Sequence, residues 1–253
     1  MKRIALFANH KPGVEIAKHL NHHIGCEVSA LFLTGENKEN DKEIIKFSGI
    51  KNENIFIGNS LKDINQVKWF QSQGFDGLIC VYWPWLLSKE IFLSVDLTVN
   101  FQPAFLPINR GWFPHVHSLI DGTKAGVTLH QIEEGADTGD IWVQEEELVL
   151  PTDTAKTLYI RLQQKIVDLF IKNWDNILSG KIKPFKQDET KAIYRPKKAI
   201  QDLDYINLDQ TIKVRDLINL LRARTFGDLG FAFFEENGEK TFLNLRLSKK
   251  IKF

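Results

Sequence analysis

Short apolar runs alternate with amphipathic segments through the first half of this chain. No other feature restricts its fold as much. Leu78–Tyr82 (LICVY) is apolar or aromatic at every position, as a strand covered on both faces must be. Arg3–Ala8, Cys26–Leu33, Asn54–Ile57 and Leu97–Asn100 also read as strands. Between them, Val14–His23, Lys42–Phe47 and Leu61–Gln73 read as helices. Ile16, Ala17 and Leu20 make the stripe of the first, and Ile64, Val67, Trp69 and Phe70 fall partly on one face of the third. Strands alternating with helices predict an α/β fold with a mostly parallel sheet. Such sheets bind ligands beyond the carboxyl ends of their strands. That edge would carry Asn9–Gly13, Tyr82–Leu87 and Asn100–Pro107. Asn9–Gly13 itself reads as a plain turn.

Farther on, Val127–Gln131 and Ile141–Val149 flank a loop, Glu133–Asp140. A long helix follows, opened by Thr152 or Asp153 as a cap, with Leu158, Leu162, Ile166, Leu169 and Ile177 as its apolar stripe. Lys181–Lys198 is a basic, proline-punctuated linker. The tail holds a helix around Ile212–Arg222 and two β-like runs, Gly230–Phe234 and Lys240–Leu247. Glu236-Asn237-Gly238-Glu239 between them suits a hairpin turn. The expected organisation is a main domain over 1–180, a linker over 181–200 and a small helix-plus-hairpin region over 201–253.

At 253 residues the chain can bury a core without disulfides or metals. Its two cysteines, Cys26 and Cys80, sit in apolar strand-like runs and read as buried small hydrophobes. The start, MKRIALFANH, has too short an apolar run for a signal peptide, and no stretch is long enough for a membrane span. A cytoplasmic, reduced protein with no membrane partner is expected. The formal net charge of +1 lacks the basic excess of a nucleic-acid binder.

The chemistry concentrates in VNFQPAFLPINRGWFPHVHSLIDGTKAGVTLHQIEEGADTGDIWVQ, Val99–Gln144. Asn100 ends a strand ahead of the proline-bounded loop Pro103–Pro107. Arg110-Gly111 and Pro114 follow, then Gly126-Val127-Thr128-Leu129-His130. Asp137-Thr138-Gly139-Asp140 begins seven residues beyond His130. In this order and spacing the stretch resembles the catalytic core of the N10-formyltetrahydrofolate-dependent formyltransferases. That family places an Asn-x-His at a strand end and an Asp on a later loop. The resemblance implies a Rossmann-like domain, Asn100 and Asp137 as catalytic residues, and N10-formyltetrahydrofolate as cosubstrate. Formyl transfer to an amine forms an oxyanion and an ammonium, so the site must donate hydrogen bonds to the oxygen and take a proton from the nitrogen.

One position departs from the family. Two residues after Asn100 stands Gln102 rather than histidine. Its amide can donate to an oxyanion but exchanges no proton at physiological pH. Three readings stay open: an engineered or inactivated variant of a histidine enzyme, a natural enzyme that uses Gln102 with Asp137 as sole base, or a binding protein that has lost catalysis. The intact surroundings favour the first two. His115 and His117 would line a substrate wall or pack. With His130 they make a poor metal set, because no cysteine joins them and an i, i+2 pair shares no helix face. No metal is expected.

Tyr82-Trp83-Pro84-Trp85-Leu86-Leu87 is similar to the family's folate segment. The resemblance implies pterin contacts by Tyr82, Trp85, Leu86 and Leu87, closed by Glu133, Glu134, Gly135 and Asp137. A plainer reading is that Trp83 covers the core. The tail segment Arg222-Ala223-Arg224-Thr225-Phe226-Gly227 looks like that of the sugar N-formyltransferases. Arg222 and Arg224 would meet a diphosphate and Phe226 a base. For each arginine, satisfying helix carbonyls is an equal alternative. Arg110, Gly111, Trp112 and His130 complete the implied substrate wall. The purine branch's Gly-Ser-Asn phosphate loop is replaced by Asn9-His10-Lys11-Pro12-Gly13. The tail is short for the tRNA-formylating branch, and the extra domains of the formyltetrahydrofolate-hydrolysing branch are missing. The expected function is N-formylation of a nucleotide-linked amino sugar by a homodimer paired through the tail. A non-catalytic binding homologue and a methionyl-tRNA formyltransferase-like enzyme are the rivals. The amino sugar, its ring position and the nucleotide base are not legible.

Overall fold

The computed structural model describes residues 1–249, so the end of the expected tail, 250–253, lies outside it. In chain order the elements are β1 (Lys2–Ala8), α1 (His10–Asn21), β2 (Cys26–Leu33), α2 (Lys38–Ser48), β3 (Ile55–Ile57), α3 (Ile64–Ser72), β4 (Gly77–Val81), α4 (Lys89–Phe92) and β5 (Leu97–Gln102). Then come β6 (Arg110–Gly111), α5 (Pro114–Asp121), β7 (Ala125–His130), β8 (Ile141–Glu147), α6 (Ala155–Leu178) and β9 (Tyr194–Arg195). The tail contains α7 (Val214–Ala223), β10 (Thr225–Phe226), β11 (Leu229–Gly230), β12 (Phe233–Glu236) and β13 (Glu239–Phe242).

The central sheet runs β3-β2-β1-β4-β5-β7-β8. Pairings from β3 to β5 are parallel, and β7 joins β5 antiparallel, so the α/β expectation holds. All five residues of β4 are buried, which its unbroken apolar sequence requires. Phe7 and Phe32 stack at 4.3 Å on one side of the sheet, with Phe56, Phe70 and Trp83 around them. Such aromatic pairs add about 0.5–1.5 kcal/mol each beyond the area they bury. The strand order reverses at β1 between β2 and β4, and the ends of β1 and β4 align at Ala8 and Val81. This is the switch point at which doubly wound sheets bind ligands.

The helix starts differ from the sequence expectation for one physical reason. Asn9 is not in a plain turn. It caps α1, its Oδ1 accepting from the His10 amide, and residues 10–13 form the first helical turn. Asn37 likewise caps α2, which starts at Lys38, four residues before the expected start. The first turn of α1 carries the turn-like pair Pro12-Gly13 and that of α2 is polar, so neither shows an apolar period. Asp153 accepts from the Leu150 amide and from Arg161, and α6 starts two residues later. Of the run expected over Lys240–Leu247, the strand part ends at Phe242. The turn between β12 and β13 is as read: Asn237 and Gly238 take φ of +52° and +80°, the type I′ signature.

The chain divides into two compact units. Unit 1 contains residues 1–102, 128–144 and 163–187, and unit 2 contains 103–127, 145–162 and 188–249 of the described residues. Unit 2 is braced by charged groups. Arg161 donates to Asp153 at 2.5 and 3.0 Å and to Glu147 at 3.1 Å. Burial alone would raise the Asp153 carboxyl, but Arg161, the Leu150 amide and the Thr157 hydroxyl together hold it below the ordinary carboxylate value.

Candidate active site

Asn100 lies on β5 directly opposite His130 on the antiparallel β7. Side chains of such a pair point to the same face and stand close together. Asn100 Nδ2 donates to His130 Nε2 at 3.0 Å. The other ring nitrogen, Nδ1, donates to the Gln131 carbonyl at 2.6 Å. Asp137 completes the cluster: its Oδ1 is 3.5 Å from Asn100 Nδ2 and 3.6 Å from His130 Nε2. Gln102 is two residues beyond Asn100 on the same face of β5 and opposite Thr128. It is buried, with 7% of its surface exposed. The structure therefore brings a histidine to Asn100 and Asp137, and it comes from β7 rather than from position 102.

The loop that carries Asp137 is held rigidly. Asp137 sits at φ +57°, in the left-handed region that non-glycine residues seldom adopt. The Gln131 amide donates to the Asp140 carbonyl and closes the loop's neck. At Gly139 a Cβ would lie 1.9 Å from the Gln131 carbonyl oxygen, so only glycine fits. Gln187 donates through Nε2 to the carbonyls of Asp137 at 2.8 Å and Gly139 at 2.7 Å. The sequence reading gave Gln187 no role. A lone glutamine in a basic, proline-punctuated stretch carries no signal, because its partners are backbone atoms some fifty positions away.

The expected folate walls are both in unit 1. Tyr82 leaves β4 at φ +55°. Trp83 turns back against Phe7 and Trp85 and joins the core, the plainer of its two readings. Leu86 is 79% exposed. Among the described residues the backbone groups of Trp85, Leu86 and Leu87 make no hydrogen bond, so this edge offers donors and acceptors to a flat heterocycle. Glu133, Glu134 and Gly135 are exposed on the facing loop, and Lys89 pairs with Glu134 at 2.5 Å. An exposed apolar side chain, open amides and a clasp between α4 and the 133–135 loop fit a reduced folate. Cys80 lies opposite Asn100 in the parallel register, but burial pushes its thiol up and it offers no thiolate.

The implied substrate residues of unit 2 have structural partners. Arg110 forks onto Glu189 at 2.9 and 2.6 Å and holds that carboxyl below its usual value. At Gly111, φ is +93° and a Cβ would approach the Arg195 carbonyl oxygen to 2.5 Å. Lys197 covers the Trp112 ring at 4.7 Å. Arg222 donates to the carbonyls of Asp153 and Leu150 at 2.7 and 2.6 Å, and Arg224 to Asp204 at 2.5 Å. Phe226 is half-buried beside Tyr159. His115 and His117 are buried on α5, with His115 against Tyr159. Among the described residues no cluster could hold a metal ion, and no helix is long and apolar enough to cross a membrane.

Residues 17–173 match the formyl transferase family, which is more than half of the chain. The chain belongs to that family. Residues 199–249 match the N-formyltransferase dimerization C-terminal domain. The dTDP-4-amino-4,6-dideoxyglucose formyltransferase of Mycobacterium tuberculosis (strain ATCC 25618 / H37Rv) is 35% identical over 150 residues, 59% of this chain and 64% of the relative. The match thus spans less than two thirds of that relative's length. The methionyl-tRNA formyltransferase of Coprothermobacter proteolyticus is 32% identical over 196 residues, 77% of this chain and 60% of that one. A crystal structure of a 4-N formyltransferase from Francisella tularensis superposes with a TM-score of 0.86 at 27% identity, covering 98% of this chain and 99% of that chain.

Proposed function

We propose that this chain transfers a formyl group from N10-formyltetrahydrofolate to the amine of a nucleotide-linked amino sugar. The observation that carries the reading is the Asn100–His130–Asp137 cluster at the carboxyl edge of the sheet, beside the folate-compatible edge at Trp85–Leu87. The bound folate supplies the formyl group. Leu86 and Leu87 would hold its ring through their backbone, with Tyr82, Trp85 and the 133–137 loop around it.

Asn100 has two amide hydrogens. One is anchored on His130 at 3.0 Å; the other reaches Asp137 only at 3.5 Å, the limit of a hydrogen bond. The loosely held hydrogen can turn to a formyl oxygen as negative charge develops there. Losing one such donor typically costs about 10²–10³-fold in rate. Asp137, its side chain 13% exposed, takes the proton from the amine. Gln102 occupies the position at which the family carries histidine, and we assign it a donor or packing role.

A sugar-linked amine is favoured over tRNA by two facts. The 4-N formyltransferase superposes with a TM-score of 0.86 where a methionyl-tRNA formyltransferase from Clostridium thermocellum reaches 0.62, and the formal net charge is only +1. Arg222 and Arg224 secure the turn that bears Phe226, and we assign the nucleotide base to that ring. We further propose a homodimer. Val214, Ile218, Leu229, Phe231 and Phe242, all within the matched dimerization region, are between 41% and 72% exposed.

The test offers N10-formyltetrahydrofolate with dTDP-linked 3-amino and 4-amino sugars and, separately, methionyl-tRNA. Mass spectrometry should find the formamide of a sugar nucleotide. Formylated tRNA with untouched sugars would establish the tRNA reading. Binding of folate and sugar nucleotide without any formamide would establish a binding protein. Sedimentation showing a monomer at every concentration would remove the dimer.

A further inference from the structure

Resting on that reading, we infer that His130 holds the proton in transit, replacing the imidazole that position 102 does not supply. A neutral imidazole needs one acceptor and one donor as partners; an imidazolium needs two acceptors. This site holds the neutral set in place and keeps the second acceptor of the charged set 3.6 Å from Nε2. The Gln131 carbonyl accepts from Nδ1 in either state. Nε2 faces the Asn100 amide, which serves the neutral ring, and the Asp137 carboxylate, which serves the protonated one. The ionisable group facing Nε2 is Asp137; Asn100 from β5 and the Gln131 carbonyl are neutral. Burial of the ring, at 2% exposure, keeps bulk water from supplying or draining the proton.

The same burial means that His130 does not meet the substrate. It acts through Asp137 and Asn100 and is a positioning residue. In the transfer, the amine nitrogen forms the new bond to the formyl carbon, and the bond from that carbon to the folate nitrogen breaks. Asp137 takes the proton lost by the amine and passes it to His130 Nε2. His130 returns it by the same route to the leaving nitrogen, which keeps the electron pair of the broken bond. No net proton is released. Protonation of Nε2 also turns it from acceptor to donor, which frees the second Asn100 hydrogen and lets the whole amide turn toward the formyl oxygen. Proton uptake and oxygen stabilisation are thereby coupled in one contact.

Two measurements test this. The first is imidazole nitrogen NMR on the unmodified resting protein, independent of turnover. His130 should be the Nδ1–H tautomer at high pH and should take its proton at Nε2 on acidification, with the Asn100 side-chain amide signal shifting in step. Asp137→Asn should make the protonated form harder to reach. A His130 ring that stays neutral from about pH 5 to 9 overturns the inference whatever the variants do.

The second measurement is kinetic. His130→Gln keeps an acceptor for Asn100 and a donor for Gln131, but carries no proton. It should lower kcat by about 100-fold or more, leave both KM values within about threefold, and abolish the acid limb of the pH profile. Gln102→His in the His130→Gln background should recover at least about tenfold, because it restores an imidazole on the same face of the site. Turnover that survives His130→Gln with the same pH profile overturns the inference alone. An unmodified protein that formylates no amine overturns the transfer reading and this inference with it.

Discussion

Each unit of this chain contains buried polar side chains, wired in opposite ways. In unit 2, three guanidinium nitrogens of Arg222 donate at 2.6–3.2 Å, and Arg161 reaches Asp153, Glu147 and the Leu148 carbonyl at 2.5–3.1 Å. In unit 1, Asn100, His130 and Asp137 share one contact at 3.0 Å and two at 3.5 and 3.6 Å. Saturated groups have nothing left to offer a ligand, and breaking them exposes the full cost of a buried unmet charge. The Asn100 amide, held at 3.0 Å on one side and only 3.5 Å on the other, keeps capacity for a reacting atom. Bond lengths, more than residue types, separate bracing from chemistry here.

The contrast breaks most visibly at Asp137. Asp137→Asn should lower kcat by about 10²–10⁴-fold while shifting the melting temperature little, since asparagine keeps the side chain's shape and the loop is also held at Gly139 and by Gln187. A large loss of melting temperature with near-normal turnover would mean that this cluster, too, is a brace.

Arg222 reads the other side. Arg222→Met leaves the Leu150 and Asp153 carbonyls without their donor and should cost about 2–4 kcal/mol of stability. Melting should fall on the order of 10 °C, at about 2–4 °C per kcal/mol for a chain of this size. Thermal scans and KM for the sugar nucleotide separate the two roles. An unchanged melting temperature with a raised KM would return Arg222 to the diphosphate contact that its sequence context suggests.

These two residues also show what the sequence could disclose. The parallel strands, the Asn237-Gly238 turn and the Asn100–Asp137 spacing are legible because period, turn chemistry and motif order are local. Arg222 looks like a phosphate ligand in sequence because its partners are carbonyls some seventy positions away. His130 stands out as a histidine near Asp137, but its pairing with Asn100 depends on the β5–β7 register. Gln187 is invisible for the same reason: the carbonyls it holds lie some fifty positions away. The starts of α1 and α2 are hidden because Pro12-Gly13 looks like a turn and the first turn of α2 is polar, and the caps at Asn9 and Asn37 outweigh the apolar period.

A third handle is pH. Burial, then repulsion from His117 and Arg224, pushes His115 down to about 3; burial and Arg195 push His117 down to about 4. Both folded values lie below the unfolded value of about 6.5. Below that pH the unfolded chain takes up protons that the folded one refuses, so stability falls with acidity until the folded values are reached. Each histidine contributes about 1.4 kcal/mol per pH unit, or about 2 kcal/mol at pH 5. His115→Phe keeps a ring against Tyr159 and should remove about half of that joint acid loss. Urea unfolding at pH 7 and pH 5 reads the difference. An identical pH slope in the variant would show that His115 takes up its proton in the folded protein as readily as in the unfolded chain.

The smallest effect belongs to the clasp in unit 1. Lys89 and Glu134 pair at 2.5 Å, but their side chains are 56% and 75% exposed, so the pair contributes at most about 1 kcal/mol. Glu134→Gln should leave the melting temperature within a few degrees. It loosens one wall of the proposed folate edge, so folate affinity should fall by about two- to fivefold. The deficit should fade toward 1 M salt, where screening weakens the same attraction in the unmodified protein. Turnover at saturating folate should be preserved, because Asn100, His130 and Asp137 are untouched. A deficit that persists unchanged at high salt would place Glu134 in direct contact with the folate. A fall in kcat at saturation would show that the loop's hold on Asp137 depends on this exposed pair as well as on Gly139 and Gln187.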